Sequence, residues 1–330
     1  MYEAFYDLRE LPFELTPDPR FLHLTPRHLE ALSNLEYGLA SAKAVTVLTG
    51  EAGTGKTTLL RAALESQRCH DVRAFHLTNP ALSRQEFVEM LARGFGLSAA
   101  ASRSKVALLS ELETLLKERR AQGEVTALIV DEAQSLSDDL LEEIRLLANI
   151  ESATEKLLPL VLVGQPEFSN RLEQPNLRQL KQRVSLRCEI VPFTLLETAA
   201  YIVKRISLAG GLAERLFTRE AVMLIHERSR GIPRTINVIC DNALVTGMAL
   251  GRQPVDRRIV EEVVRDFHLG SRRSPPTRAR PVRDDGIPSS RDHPSGAAAS
   301  AQAEDTRAAA TRPARAGASR LFTILGGGRS

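Results

Sequence analysis

The stretch GEAGTGKT at positions 50–57 carries the most recognisable chemistry in the sequence. It fits the pattern G-x-x-x-x-G-K-S/T, in which glycines let successive backbone N–H groups face a phosphate. The Lys56 ammonium suits the outer phosphates of a nucleotide, and the Thr57 hydroxyl suits a Mg²⁺ ion. A strand-like apolar run precedes the stretch and a helical pattern follows it, as such a loop requires. The predicted phosphate-binding residues are Gly50, Glu51, Ala52, Gly53, Thr54, Gly55, Lys56, Thr57 and Thr58.

A pair of acidic residues, Asp131 and Glu132, follows the apolar run TALIV. Successive residues at a strand end point apart, so Asp131 can hold Mg²⁺ through its water shell while Glu132 polarises an attacking water. An acidic pair alone is most simply a solvated strand end, but the phosphate loop upstream favours the chemical interpretation. We therefore predict that Thr57 and Asp131 form the metal site, that ATP and Mg²⁺ are the cofactors, and that Glu132 is catalytic.

The elements that position these residues alternate between short apolar runs and helical periodicity. The predicted strands are Val45–Thr49, Val72–Leu77, Thr126–Val130, Leu158–Val163 and Leu186–Val191. The predicted helices between them lie near residues 57–67, 84–94, 105–121 and 138–148. This alternation predicts an α/β fold, a five-stranded parallel sheet with helices on both faces. After Pro192 the strands stop, and an all-helical domain is predicted. Its helical patterns lie near 195–209, 218–229, 234–249 and 256–267.

Composition divides the chain into four predicted parts. An N-terminal arm and helix (1–40) precede a nucleotide-binding domain (41–193), a helical domain (194–269) and a tail (270–330). From Ser271 onward there are eleven arginines, no lysine and five acidic residues, so this part is net +6 and the rest net −3. We expect the tail to be disordered, because it has too few bulky apolar residues to offset its ordering entropy. Only the tail is electrostatically suited to a polyanion.

Three features of the sequence predict a cytoplasmic location. No apolar run approaches the roughly 20 residues that span a bilayer. The start MYEAFYDLRE lacks the basic and apolar regions of a secretory signal. The three scattered cysteines predict reduced core thiols and no disulfide framework or metal site.

The order of these motifs resembles that of the AAA+ ATPases, which implies a P-loop AAA+ fold with the helical domain as a lid. The resemblance implies that Gln165 in LVLVGQPE senses the γ-phosphate and that Arg234 in GIPRTIN is a second sensor. It implies that Arg183 in LRQLKQRV is an arginine finger that completes a neighbour's site. By residue type alone, both arginines would be solvated surface charges. Asn79 in HLTNP lies where some members restrain the catalytic glutamate.

A more specific resemblance begins with the N-terminal stretch MYEAFYDLRELPFELTPDPRFLHLTPRHLEAL. Together with VGQPEF, LRQLKQRV and GIPRTINVICDNAL, it resembles the general secretion pathway protein A family over residues 1–268. Related ATPases serve pilus biogenesis and exosortase-linked polysaccharide export. Asp7 departs from the family, which usually has Gly at this position. The best-known members continue into a transmembrane helix and a peptidoglycan-binding domain, patterns that this sequence lacks, so direct cell-wall binding is not implied.

The aromatic residues of the N-terminal arm, Phe5, Tyr6, Phe13 and Phe21, predict an extended segment packed on the sheet domain. The alternative is that the part from Phe21 to His28 walls the adenine pocket.

The resemblance implies an ATP-hydrolysing switch or assembly factor for a secretion, pilus or polysaccharide-export system. It also implies a homo-oligomer and a membrane-associated partner, through which a cytoplasmic chain could be peripheral at the inner membrane. The basic tail leaves open a DNA-binding regulator of the transposition-helper type. An ATP-gated scaffold with negligible turnover is the third possibility.

Overall fold

A computed structural model describes residues 1–16, 19–78 and 81–267, so Asn79 and the predicted tail lie outside the described residues. The strands are β1 (Val45–Gly50), β2 (Val72–Leu77), β3 (Val125–Val130), β4 (Leu160–Gly164) and β5 (Val184–Ile190). The first seven helices are α1 (Pro26–Ala40), α2 (Lys56–Leu64), α3 (Arg84–Phe95), α4 (Lys105–Ala121), α5 (Asp138–Leu147), α6 (Pro166–Leu172) and α7 (Arg178–Lys181). The others are α8 (Leu195–Leu208), α9 (Ala213–Leu216), α10 (Arg219–Ser229), α11 (Pro233–Ala249) and α12 (Arg257–Asp266).

The five strands form one parallel sheet in the order β2-β3-β4-β1-β5. Leu160 of β4 pairs with Val45 of β1 on one side and with Leu128 of β3 on the other, which fixes the register of the central strands. These three strands are buried along their whole length, as continuous apolar runs predict for strands covered on both faces. Their carboxyl ends meet at one edge of the sheet, where the loop of residues 50–57, Asp131 and Gln165 follow.

Successive side chains of β3 enter opposite cores, because strand side chains alternate between the two faces. Leu128 and Val130 pack in the core that contains α3, α4, α5 and α6. Ala127 and Ile129 pack in the core that contains α1 and α2. This arrangement confirms the predicted α/β fold with helices on both faces of the sheet.

A separate core joins helices α8 to α12, and the N-terminal arm packs into it. Tyr2, Tyr6 and Phe13 are buried there. The Tyr2 hydroxyl donates to Asp241 Oδ1 at 2.5 Å, and the Tyr6 hydroxyl donates to the Leu244 carbonyl at 3.1 Å. The expectation that the arm packs on the sheet domain is therefore wrong for Tyr6 and Phe13, because aromatic content indicates burial but does not specify the partner surface.

The predicted strands and long helices are confirmed, with ends that differ by up to three residues. The structure adds α6, α7 and α9, which have at most seven residues and are too short to show a periodic pattern. Of the described helices, none is long and apolar enough to cross a membrane.

Candidate functional site

The loop of residues 50–57 connects β1 to α2 at the carboxyl edge of the sheet. Gly53 (φ 82°) and Gly55 (φ 97°) adopt left-handed backbone conformations that favour glycine. The Thr54 hydroxyl donates to the Glu51 carbonyl at 2.9 Å and stabilises the turn. Since α2 begins directly after Gly55, the unpaired N–H groups of its first turn lie at the loop, which is the arrangement of an anion site.

Lys56 is buried at the base of this loop, with only 7% of the residue exposed. Its ammonium donates to the Gly50 carbonyl at 2.8 Å and to the Glu51 carbonyl at 3.0 Å. Burial lowers the pKa of Lys56, and the nearby carboxylates of Glu132 and Asp131 partly oppose that effect. Among the described residues, carbonyls are the hydrogen-bond acceptors of this buried ammonium, and it is suited to exchange them for an anionic ligand.

The structure brings Thr57 and Asp131 together across the loop, as predicted for the metal site. The Thr57 hydroxyl donates to Asp131 Oδ2 at 3.2 Å. Asp131 Oδ1 accepts a hydrogen bond from the Glu132 backbone N–H at 2.9 Å, which fixes the carboxylate plane. A hydroxyl and a carboxylate are the hard oxygen donors that Mg²⁺ prefers, so these residues fit the ion.

Glu132 lies at the exit of β3 in a left-handed conformation (φ 53°, ψ 40°), which costs a non-glycine residue about 1–3 kcal/mol. Its Oε2 accepts hydrogen bonds from two glutamine amides. Gln134 Nε2 is one donor, and Gln165 Nε2, at 3.4 Å, is the other. The side chain therefore has a fixed orientation even though it is exposed, and Gln165 contacts Glu132 as well as lying at the predicted sensor position.

Arg234 meets the phosphate loop from the helical domain. It lies in the first turn of α11, and its backbone N–H donates to the Gly53 carbonyl at 3.1 Å. The preceding Gly231 (φ 72°) lies so close to Phe193 that an added Cβ would be 2.0 Å from the Phe193 carbonyl oxygen. The GIPR motif thus contacts both the phosphate loop and the segment that leads into α8.

A cavity of about 450 Å³ lies between the sheet and the helical domain. Its walls include residues 52–58 of the loop, Asp131, Glu132 and Arg234. Phe21, His23 and other residues of the N-terminal segment also line it, which matches the alternative in which this segment walls a base pocket. A nucleotide placed with its phosphates at the loop would direct its base toward the N-terminal segment that lines the cavity.

Sequence reasoning missed the residues at the far end of the cavity. Arg205 of α8 is 4% exposed, stacks over the Phe21 ring at 4.6 Å and donates to the Tyr201 hydroxyl at 2.7 Å. The Tyr201 hydroxyl in turn donates to Asn237 Oδ1 at 2.8 Å. Within the described chain, Arg205 Nε has no hydrogen-bond partner. The only sequence signal for this group is polar residues at core-facing positions of two amphipathic helices.

Arg183 does not lie at the site of its own chain. It is exposed and directly precedes Val184, which pairs with Val45 at the amino end of β1. The phosphate loop follows the opposite end of the same strand. Arg183 is therefore remote from the phosphate loop of its own chain.

Comparisons with known proteins identify the domain and its fold. Residues 39–172 match the family described as AAA domain. The Aeropyrum pernix ORC2 protein in ADPNP-ADP complexes aligns with a TM-score of 0.57 at 19% identity, over 77% of this chain and 71% of that chain. Cdc6p of Pyrobaculum aerophilum aligns with a TM-score of 0.56 at 19% identity, over 77% and 70%. The chain contains a AAA domain. Its fold is the P-loop AAA+ fold.

The chain is also similar to general secretion pathway protein A of Aeromonas hydrophila, with 38% identity over 255 residues. The match covers 77% of this chain and 46% of that protein, so the chain spans about half the length of this relative. The resemblance seen in the sequence is thus confirmed.

Proposed function

We propose that this chain binds and hydrolyses ATP, and that it acts as a switch or assembly factor of a secretion, pilus or polysaccharide-export system. The observation that carries the proposal is the convergence of Lys56, Asp131, Glu132 and Arg234 on one cavity. Because residues of both the sheet and the helical domain line this cavity, ATP and ADP can favour different angles between the two.

The phosphates would lie in the loop, where backbone N–H groups and the Lys56 ammonium replace the water molecules that hydrate the phosphates in solution. Lys56 would exchange its bonds to the Gly50 and Glu51 carbonyls for bonds to phosphate oxygens. Thr57 and Asp131 would hold Mg²⁺, which when bound neutralises phosphate charge.

Glu132 would orient the attacking water and accept its proton as the water oxygen bonds to the γ-phosphorus. The bond from that phosphorus to the bridging oxygen breaks, and ADP and phosphate are the products. Gln165 and Arg234 would contact the γ-phosphate from β4 and from the helical domain. The second contact links hydrolysis to domain movement, because it is lost when the phosphate leaves.

The similarity to general secretion pathway protein A supports a membrane-associated partner for this chain. We place the protein in the cytoplasm, peripheral at the inner membrane through that partner. The exposed position of Arg183 at the far edge of the sheet supports a homo-oligomer in which each subunit completes the next site.

Steady-state phosphate release by the full chain tests the proposal. We expect Mg²⁺-dependent turnover that Lys56→Ala abolishes, since that variant loses the buried ammonium. Duplex DNA at low salt serves as the second arm, and we expect no change. A several-fold increase with DNA that disappears when residues after 269 are removed would support the DNA-binding alternative, in which the arginine-rich tail contacts phosphates.

A further inference from the structure

Gln134, two positions after Glu132, connects the exit of β3 to the exit of β4. It lies in a 3-10 turn, Ala133–Ser135, that directly follows Glu132. Its Oε1 accepts a hydrogen bond from the Gln165 backbone N–H at 3.0 Å, which determines the orientation of the amide. Its Nε2 therefore faces Glu132 and donates to Oε2 of that carboxylate.

The turn that carries Gln134 is fixed to α6 as well. Arg171 of α6 donates to the backbone carbonyls of Gln134 and Leu136, and it forms an ion pair with Asp138. The Gln134 amide is also closely packed, because a Cβ added at Gly164 would lie 3.1 Å from its Oε1. The amide thus has both its position and its orientation set by neighbours outside its own turn.

We propose that Gln134 is a positioning residue that orients Glu132 for attack on ATP, an inference that rests on the proposed function. Gln134 and Gln165 both bind Oε2, and among the described residues none donates to Oε1. Oε1 is therefore the oxygen that faces the attacking water. Because Gln134 also binds the Gln165 backbone, a shift of β4 moves Glu132 with it. The contact of Gln165 with the γ-phosphate is thereby coupled to the position of Glu132, the general base.

Gln134→Glu is the most informative substitution, because it is isosteric and keeps an acceptor for the Gln165 N–H. It replaces the donor that holds Glu132 with a like charge. We expect kcat to fall about 10-fold, part of what general-base catalysis contributes.

Gln134→Ala is the second variant, and it deletes both hydrogen bonds without adding charge. We expect a similar loss in kcat. For both variants, the affinity for a non-hydrolysable ATP analogue should stay within about two-fold of wild type, because the interaction acts on the transition state. Gln67→Glu is the matched control. It makes the same charge change at an exposed position before β2, at the opposite edge of the sheet, and should leave kcat unchanged.

Two results would overturn the inference, and they are distinguishable. If Gln134→Glu has the kcat of wild type, while Glu132→Gln is inactive, Gln134 does not position the base. A loss of kcat accompanied by an equal loss of affinity for the ATP analogue would also mean that Gln134 does not position the base. If wild type turns over no faster than Glu132→Gln, the proposed function fails together with the inference.

Discussion

Gly53 is the residue at which the phosphate loop touches the helical domain. Its carbonyl accepts the Arg234 N–H at 3.1 Å, and its φ of 82° favours glycine. An added Cβ would lie 2.7 Å from the Arg234 Cβ, closer than such atoms approach. Any side chain at this position would therefore separate the two domains at the nucleotide site.

Gly53→Ala and Gly123→Ala form a matched pair that isolates this contact. Gly123 has a φ of 85° and no neighbouring atom within 4 Å of its added Cβ. Alanine at this position would therefore cause backbone strain without a steric clash. We expect each variant to lower the free energy of unfolding by about 1–3 kcal/mol. Only Gly53→Ala should also weaken ATP-analogue binding, by about 10-fold or 1.4 kcal/mol.

Urea unfolding and a fluorescent-analogue titration of the two variants make this comparison. Equal analogue affinities in Gly53→Ala and wild type would mean that the loop does not need Arg234 beside it.

Helix α1 and the segment before it place two histidines in the cavity wall. His28 is 3% exposed, and its Nδ1 lies 2.7 Å from the Thr25 hydroxyl. Burial lowers the pKa of His28, and burial followed by the charge of Lys204 lowers the pKa of His23. Glu197 opposes the change in both. Packing of the wall therefore favours the neutral form of both imidazoles.

These lowered pKa values predict a stability loss on acidification. A folded pKa below the ordinary value of 6.5 means that the unfolded chain binds more protons in the window between the two values. The free energy of unfolding therefore falls as pH decreases through 6.5, by at most about 1.4 kcal/mol per pH unit for each histidine. His28→Gln should reduce this slope, because it removes a histidine whose pKa is lowered by burial.

Denaturation at several values from about pH 7.5 to pH 5.5 measures the slope. If the free energy of unfolding of His28→Gln changed with pH as steeply as that of wild type, His28 would not contribute to this pH dependence.

The elements were predictable where one local pattern decides them. The apolar runs of β1, β3 and β4 and the long amphipathic helices follow from periodicity within single segments, and the phosphate loop follows from eight consecutive residues. Gln134 and Arg205 could not be predicted, because their partners come from other elements. The destination of the N-terminal arm depends on a tertiary surface for the same reason.

The sheet separates Arg183 from the phosphate loop of its own chain. The two lie beyond opposite ends of β1, a strand of six residues that spans about 20 Å. The proposed role of Arg183 as an arginine finger therefore requires a neighbouring subunit. Turnover should therefore depend on assembly.

Complementation between two inactive variants tests this dependence. We expect Arg183→Ala to bind ATP analogue normally and to lose turnover, because each pocket lacks its neighbour's arginine. Mixed with Glu132→Gln, which keeps Arg183 but lacks the base, it should regain measurable turnover. Arg93→Ala, which removes an exposed arginine on α3, is the control and should retain activity. A mixture as inactive as its components, or an active Arg183→Ala alone, would contradict a shared site.

The nucleotide that stays bound after incubation with ATP and Mg²⁺ tests most directly whether Glu132 activates water. Wild type and Glu132→Gln are incubated, separated from free nucleotide and extracted. We predict ADP on the wild type and intact ATP on Glu132→Gln, because that variant keeps Lys56 and Asp131 but has no base. ADP on both, formed at the same rate, would contradict the assignment of Glu132 as the residue that activates water.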